Sequence, residues 1–122
     1  GLVYSLQDSK QLVDLVGPSR AKSILFSGRL VAAQEALRIG MVDEIFDADA
    51  LEAETIKFAT TICNNSQFSV RGIKQVIRQI LDGAADDTPE TQAMFLDSFG
   101  GEDYLEGVDA FLNKRQPDFP WR

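Results

Sequence analysis

The stretch "GPSRAKSILFSGRLVAAQEALRIGMVDEIF", residues 17–46, decides how this chain folds. Gly17 followed by Pro18 is typical of one helix that ends where the next begins. Gly28 predicts the end of that second helix, and the alanine-rich run before Gly40 predicts a third, short one. The apolar pattern of "MVDEIF" predicts one short strand. The stretch therefore predicts short helices separated by sharp chain reversals.

Helical patterns continue on both sides of this stretch. Before it, "LQDSKQLVDLVG" predicts a helix with Asp8 or Ser9 as its N-cap. After it, apolar residues at steps of three and four predict four more helices, of which the most amphipathic carries a stripe from Val70 to Leu81. Thr88 and Pro89 predict a capped helix start. The tail "RQPDFPWR", residues 115–122, is interrupted by prolines and should be irregular.

These patterns predict a mainly α fold with at most one or two short strands. The 122 residues suffice for one domain, and we expect residues 1–122 to form a single helical domain. A lone strand cannot form a sheet. The partner of "MVDEIF" therefore lies outside this chain, or the segment is not a strand.

The charge and the cysteine content indicate which partners and which compartment the chain favours. The net charge of −7, from 19 acidic and 12 basic residues, gives little support for binding nucleic acid or an anionic membrane. No apolar run reaches membrane-spanning length. The single cysteine, Cys63, cannot form an intramolecular disulfide, which fits a reducing compartment, so we expect a cytoplasmic protein. Its apolar surroundings favour a small core residue over a reactive thiol.

The sequence alone assigns no chemistry. The absence of histidine excludes His-based triads and His-ligated zinc. The acidic pairs Asp86-Asp87 and Glu102-Asp103 lack the spacing of a calcium loop and are best explained as loop and helix-cap charges, so no metal site is predicted. Gly100-Gly101 lacks the pattern of a dinucleotide loop.

Several motifs in order nevertheless resemble one family. "LVGPSRAKSILFSGRLVAAQEALRIGMVDEIF", then "IKQVIRQ", and finally "DYLEGVDAFLNKRQPDF" are similar to the C-terminal half of the crotonase, or enoyl-CoA hydratase/isomerase, superfamily. The resemblance covers essentially the whole chain. It departs from the family's pattern in residues 1–12, where Ser5 stands at a position that holds a catalytic aspartate in some relatives. A serine without a base is a poor substitute, so Ser5 is better explained as a residue that starts a helix.

The resemblance implies a multi-helical C-terminal segment of the crotonase-like spiral fold, without the N-terminal ββα spiral core. In the family, an oxyanion-hole donor and the catalytic carboxylates belong to that preceding part. No catalytic residue is therefore assigned, and whether this chain is an enzyme is left open. The family uses a CoA thioester as substrate and needs no cofactor. Its C-terminal helices contribute to a trimer interface and to the CoA pocket, so a homo-oligomer and acyl-CoA are the implied partners.

The resemblance also suggests substrate-binding residues. Phe95 and Lys114 match positions that contact the CoA nucleotide or the acyl region, and Phe99 and Phe111 are neighbours. Lys114 suits a CoA phosphate as a point charge. The alternatives are an apolar helix face for the phenylalanines and a C-terminal helix cation for Lys114.

Two hypotheses about function follow. The chain is the C-terminal segment of an acyl-CoA enzyme, contributing oligomerisation and part of the CoA pocket and inactive alone. Alternatively, it is a free-standing, non-catalytic helical module that self-associates and derives from a crotonase.

Overall fold

The computed structural model describes residues 1–119 and shows a mainly α architecture. Pro120, Trp121 and Arg122, the end of the tail expected to be irregular, lie outside the described residues. Within residues 1–119 there is no strand, and seven helices follow one another: α1 (Leu6–Val16), α2 (Pro18–Ser27), α3 (Ala33–Arg38), α4 (Leu51–Cys63), α5 (Gln67–Leu81), α6 (Pro89–Ser98) and α7 (Glu102–Leu112). The predicted fold class is confirmed.

The chain divides into two compact units. The first is Gly1–Glu52 and the second is Ala53–Arg122, so the boundary falls within the first turn of α4. The single domain expected over residues 1–122 stays a prediction.

The first unit has its core where the stretch quoted above predicted sharp reversals. Val16, Ala21 and Ile39 are buried together, one from each side of the α1–α2 corner and one from the end of α3. Gly17 is at once the last cap of α1 and the first cap of α2, and Pro18 begins α2 as predicted.

The start of α1 differs from the prediction. Asp8 and Ser9 lie inside the helix, and the N-cap is Ser5, whose Oγ accepts a hydrogen bond from the backbone N of Asp8 at 3.1 Å. The hydroxyl also donates to Asp8 Oδ2 at 2.6 Å. Because Ser5 and Asp8 satisfy each other three residues apart, the helix begins nearly a turn earlier than its apolar pattern indicates. The interpretation of Ser5 as a helix-starting residue is confirmed.

The strand predicted for "MVDEIF" is wrong. Residues 41–46 form bends and irregular chain, and the backbone N of Met41 donates to the carbonyl oxygen of Ala36 at 2.8 Å. That bond belongs to the end of α3. A strand also requires a neighbour to accept its ladder of hydrogen bonds, and residues 1–119 provide none.

The second unit is organised by two well-defined helix caps. Ser66 caps α5 by accepting from the backbone N of Ser69 at 3.1 Å, and its hydroxyl also donates to Asp103 Oδ2. This side-chain pair ties the start of α5 to the start of α7. Thr88 caps α6 in a reciprocal capping box with Thr91, so the predicted helix start at Thr88 and Pro89 is confirmed.

Two apolar patterns lie on the surface. The stripe of α5 has no buried member, and Ile73, Ile77 and Ile80 remain 58%, 51% and 60% exposed. Cys63, predicted to lie in the core, is exposed. Since α4 has no buried residue at all, the apolar pattern around Cys63 is not covered by other described residues.

Candidate functional site

An open cavity of about 620 Å³ lies in the second unit, between the start of α5, the end of α6 and one face of α7. Its walls are mainly apolar and aromatic: Phe68, Tyr104, Val108, Phe111, Leu112 and Phe119. The polar part of the wall includes the Ser66–Asp103 pair described above, together with Ser69, Ser98 and Glu102. A mostly apolar concavity with a few fixed polar groups is the usual form of a small-molecule site.

The three predicted phenylalanines lie around this cavity and a second one. Phe111 lines the first cavity, and Phe95 lines a neighbouring one of about 540 Å³ between α5 and α6. Phe99 connects them, because its ring meets that of Phe95 edge-on at 5.1 Å between centroids and that of Tyr104 at 5.4 Å. Their geometry suits an apolar ligand, and their substrate-binding role stays a prediction.

Lys114 lies apart from both cavities, just beyond the end of α7. Its side chain is exposed, and its backbone has φ of 52°, the one positive φ of a non-glycine residue within residues 1–119. It follows the C-cap residue Asn113. Its role in binding substrate also stays a prediction.

An arginine that the sequence interpretation did not single out organises the chain beside Lys114. Arg115 donates to both carboxylate oxygens of Glu106, at 2.5 and 2.7 Å, and to Asp109 Oδ2 at 2.5 Å. Glu106 also accepts from the backbone N of Asp118 at 2.6 Å. We call this group of Glu106, Asp109, Arg115 and Asp118 the α7 clasp. The nine-residue separation of Glu106 and Arg115 hid it from patterns of helical period.

Hydrogen bonds within the α7 clasp shift the pKa values of its charged groups. The bonds from Arg115 and from the Asp118 backbone lower the pKa of Glu106 to about 2. The same pairing raises the pKa of Arg115 above its usual value. Both groups therefore remain charged at neutral pH, which keeps the bidentate pair intact.

We expect the α7 clasp to open in acid. A lowered carboxyl pKa stabilises the folded state above the unfolded pKa, near 4.5, and this stabilisation is lost as the pH falls towards about 2. NMR titration of the Asp118 amide should follow this loss. In Glu106→Gln the transition should be absent, whereas an unchanged Asp118 titration in that variant would contradict the assignment.

In each of the two acidic pairs, Asp86-Asp87 and Glu102-Asp103, one carboxylate has a structural partner. Asp87 accepts from Thr91 Oγ1 at 3.0 Å at the start of α6, and Asp103 binds Ser66. Asp103 Oδ1 is buried and has no hydrogen-bond partner. Among residues 1–119 no cluster of three potential metal ligands occurs. None of the helices described there is long and apolar enough to cross a membrane.

Comparison with known proteins gives one consistent result. The family model described as Enoyl-CoA hydratase/isomerase matches residues 1–122. A solved structure assigned to the enoyl-CoA hydratase/isomerase family, from Hyphomonas neptunium, is similar over 100% of this chain and 47% of its own, with 44% identity and a TM-score of 0.87. Among curated relatives, the 2,3-dehydroadipyl-CoA hydratase of Escherichia coli is 29% identical over 100% of this chain and 48% of its own length. The methylmalonyl-CoA decarboxylase of Escherichia coli is 29% identical over 98% of this chain and 47% of its own length. The chain thus spans about half the length of the relatives it matches.

Proposed function

Because the chain belongs to the enoyl-CoA hydratase/isomerase family, we propose that it supplies the helical wall of an acyl-CoA site and a surface for assembly, without catalysing the reaction alone. The observation that carries the proposal is the apolar cavity in the second unit, with Phe111 in its wall and Lys114 close by in sequence. An apolar arm of a ligand fits the cavity, and a phosphate suits an exposed lysine.

The relatives support a CoA thioester as the ligand class. One acts on 2,3-dehydroadipyl-CoA and another on methylmalonyl-CoA, as their names state, and these ligands have different acyl chains but the same CoA thioester. Hydration and decarboxylation are different reactions. The ligand class that these relatives support is therefore defined by its CoA moiety and not by one reaction.

Three carboxyl groups are unsuited to act as general acids at neutral pH. A general acid at neutral pH needs a raised carboxyl pKa. Glu35, Glu90 and Glu106 all have lowered pKa values, because each accepts hydrogen bonds that favour its charged form. These groups are fixed as anions that stabilise local structure.

Calorimetric titration with CoA and an assay of crotonyl-CoA hydration test the proposal on the chain itself. We expect saturable CoA binding and no hydration above background. Phe111→Ala should weaken binding about tenfold, by loss of apolar burial on the ligand. Phe26→Ala is the matched control, because Phe26 is 84% exposed in the first unit and Phe111 is 82% exposed in the second.

Any of three results would overturn this proposal. Robust hydration of crotonyl-CoA would contradict the non-catalytic role. Absence of CoA binding, or an equal loss in Phe26→Ala and Phe111→Ala, would remove the cavity as the site.

The exposed stripe of α5 favours a second function, self-association. Apolar side chains on one helix face need a partner surface, and Ile73, Ile77 and Ile80 have none deep enough to bury them within residues 1–119. A second copy of the chain is the proposed partner. Sedimentation over a range of concentrations should show a reversible oligomer, and a monomer at all concentrations would rule this function out.

A further inference from the structure

Within residues 1–119, three helices end in the same hydrogen-bond arrangement, a Schellman motif. In α7 the backbone N of Arg115 donates to the carbonyl of Ala110 at 3.0 Å, and that of Lys114 donates to Phe111 at 3.3 Å. In α3 the matching bonds run from Met41 to Ala36 and from Gly40 to Leu37. In α5 they run from Ala84 to Gln79 and from Gly83 to Ile80. The motif requires a left-handed residue one position after the C-cap.

The residue at that position differs in α7. Gly40 and Gly83 occupy it in α3 and α5, with φ of 74° and 103°, whereas α7 has Lys114 with φ of 52°. A side chain with a Cβ is disfavoured in this conformation, and glycine is the usual choice. Such a residue persists only where its surroundings hold it, and it often marks a functional position.

The α7 clasp is what holds it. Arg115 directly follows Lys114 and is anchored to Glu106 by two hydrogen bonds and to Asp109 by one. The backbone of Asp118 is anchored to the same Glu106. The chain is therefore fixed on α7 immediately after Lys114, which leaves that residue to make the reversal.

The α7 clasp also changes the charge around Lys114. The carboxylates of Glu106 and Asp109 would repel a phosphate and compete for the lysine ammonium. Arg115 binds both, so the Lys114 side chain stays exposed instead of pairing with α7.

We infer that Arg115 and Glu106 are positioning residues that hold Lys114 in the left-handed conformation and keep its ammonium available to a phosphate of CoA. This inference rests on the proposed function, since it names how that site presents its cation. Lys114 is the contact residue, and Arg115 and Glu106 act through it.

Glu106→Gln tests the inference because positioning and simple electrostatics predict opposite changes in CoA affinity. The variant removes one negative charge, so simple electrostatics predicts tighter CoA binding. Positioning predicts the opposite: about fivefold weaker binding, together with loss of the left-handed Cα and Cβ chemical shifts of Lys114. Glu35→Gln is the matched control, because Glu35 forms a similar bidentate pair with Arg29, at 2.6 and 2.7 Å, in the other unit. It should change neither observable.

Lys114→Gly separates the ligand role from a structural one. Glycine relieves the backbone, so the melting temperature should rise by about 2 °C while CoA binding weakens about fivefold. Pantetheine, which lacks the nucleotide phosphates, should compete equally well in both proteins. A lysine retained only for the helix dipole predicts a lower melting temperature and unchanged CoA binding.

The outcomes distinguish failure of the positioning role from failure of the proposed CoA-binding function. Left-handed shifts that persist in Glu106→Gln, or CoA binding that is unchanged when they are lost, would overturn the positioning role. If the unaltered chain binds no CoA, the proposed function fails together with the phosphate contact. The shifts of Lys114 then still show whether the α7 clasp fixes its backbone.

Discussion

Gly17→Ala is expected to lower the free energy of unfolding of the first unit by about 2 kcal/mol. Gly17 has φ of 81° and ψ of 159°, a region of backbone conformation that is essentially restricted to glycine. A Cβ at this position would meet no atom within 4 Å, so the loss comes from the backbone alone. Gly17 joins α1 to α2 between the buried Val16 and Ala21. A change in its backbone conformation would therefore separate these two buried side chains.

Hydrogen exchange of the α1 and α2 amides measures this effect in the unit where it arises. Gly72→Ala is the matched control, since Gly72 lies inside α5, has no positive φ, and a Cβ there would also meet nothing within 4 Å. That change should stabilise α5 by about 0.5 kcal/mol through helix propensity. Equal protection of α1 and α2 in Gly17→Ala and in the unaltered chain would contradict the conformational requirement.

Helix boundaries were predictable where a single residue type enforces them. Pro18 marks a helix start because the first residue of a helix needs no backbone N–H. Thr88 marks another because its hydroxyl accepts a hydrogen bond from an unpaired backbone N–H of the first turn. The cap of α1 could not be chosen from the sequence, because Ser5, Asp8 and Ser9 offer the same chemistry. Only the hydrogen bond from the backbone N of Asp8 to Ser5 Oγ selects Ser5. "MVDEIF" has the composition of a strand, yet strand formation depends on a neighbour that local sequence does not reveal.

The candidate site was predictable only in part, for a related reason. Phe95 matches a family position, and Phe99 and Phe111 were expected as its neighbours. Their grouping around two cavities depends on how α5, α6 and α7 pack. The α7 clasp joins Glu106 to residues 9 and 12 positions later, across a chain reversal that no periodicity describes. The positive φ of Lys114 is a property of that reversal. The α7 clasp and the backbone of Lys114 could therefore not be predicted from helical periodicity, because both depend on pairing across a turn.

Burial was the least predictable property. The pattern of α5 is strongly amphipathic, and the prediction of a helix from it is correct, but its apolar face is exposed. The same holds for Cys63 on α4. Amphipathicity shows which face a helix offers and says nothing about whether the partner surface belongs to the same chain.

Ile77→Glu is expected to weaken self-association roughly a hundredfold while leaving the fold of the isolated chain intact. Ile77 is 51% exposed in the middle of the α5 stripe, so a carboxylate there stays hydrated in the monomer. In an assembly that covers the stripe, the same carboxylate would be buried without a partner, and the apolar contact of isoleucine would be lost. Sedimentation equilibrium measures the dissociation constant, and circular dichroism measures the helix content of both proteins.

Gln75→Glu is the control that isolates the stripe from charge. It adds the same charge to the same helix at an exposed position outside the stripe. We expect its dissociation constant to stay within about twofold of that of the unaltered chain, as is usual for a surface substitution. If both variants dissociate equally, the added charge drives the effect and the apolar stripe of α5 is not the interface. If Ile77→Glu associates as well as the unaltered chain, the stripe remains exposed in the assembly. Another apolar surface, such as the exposed Leu105 and Leu112 of α7, would then form the interface.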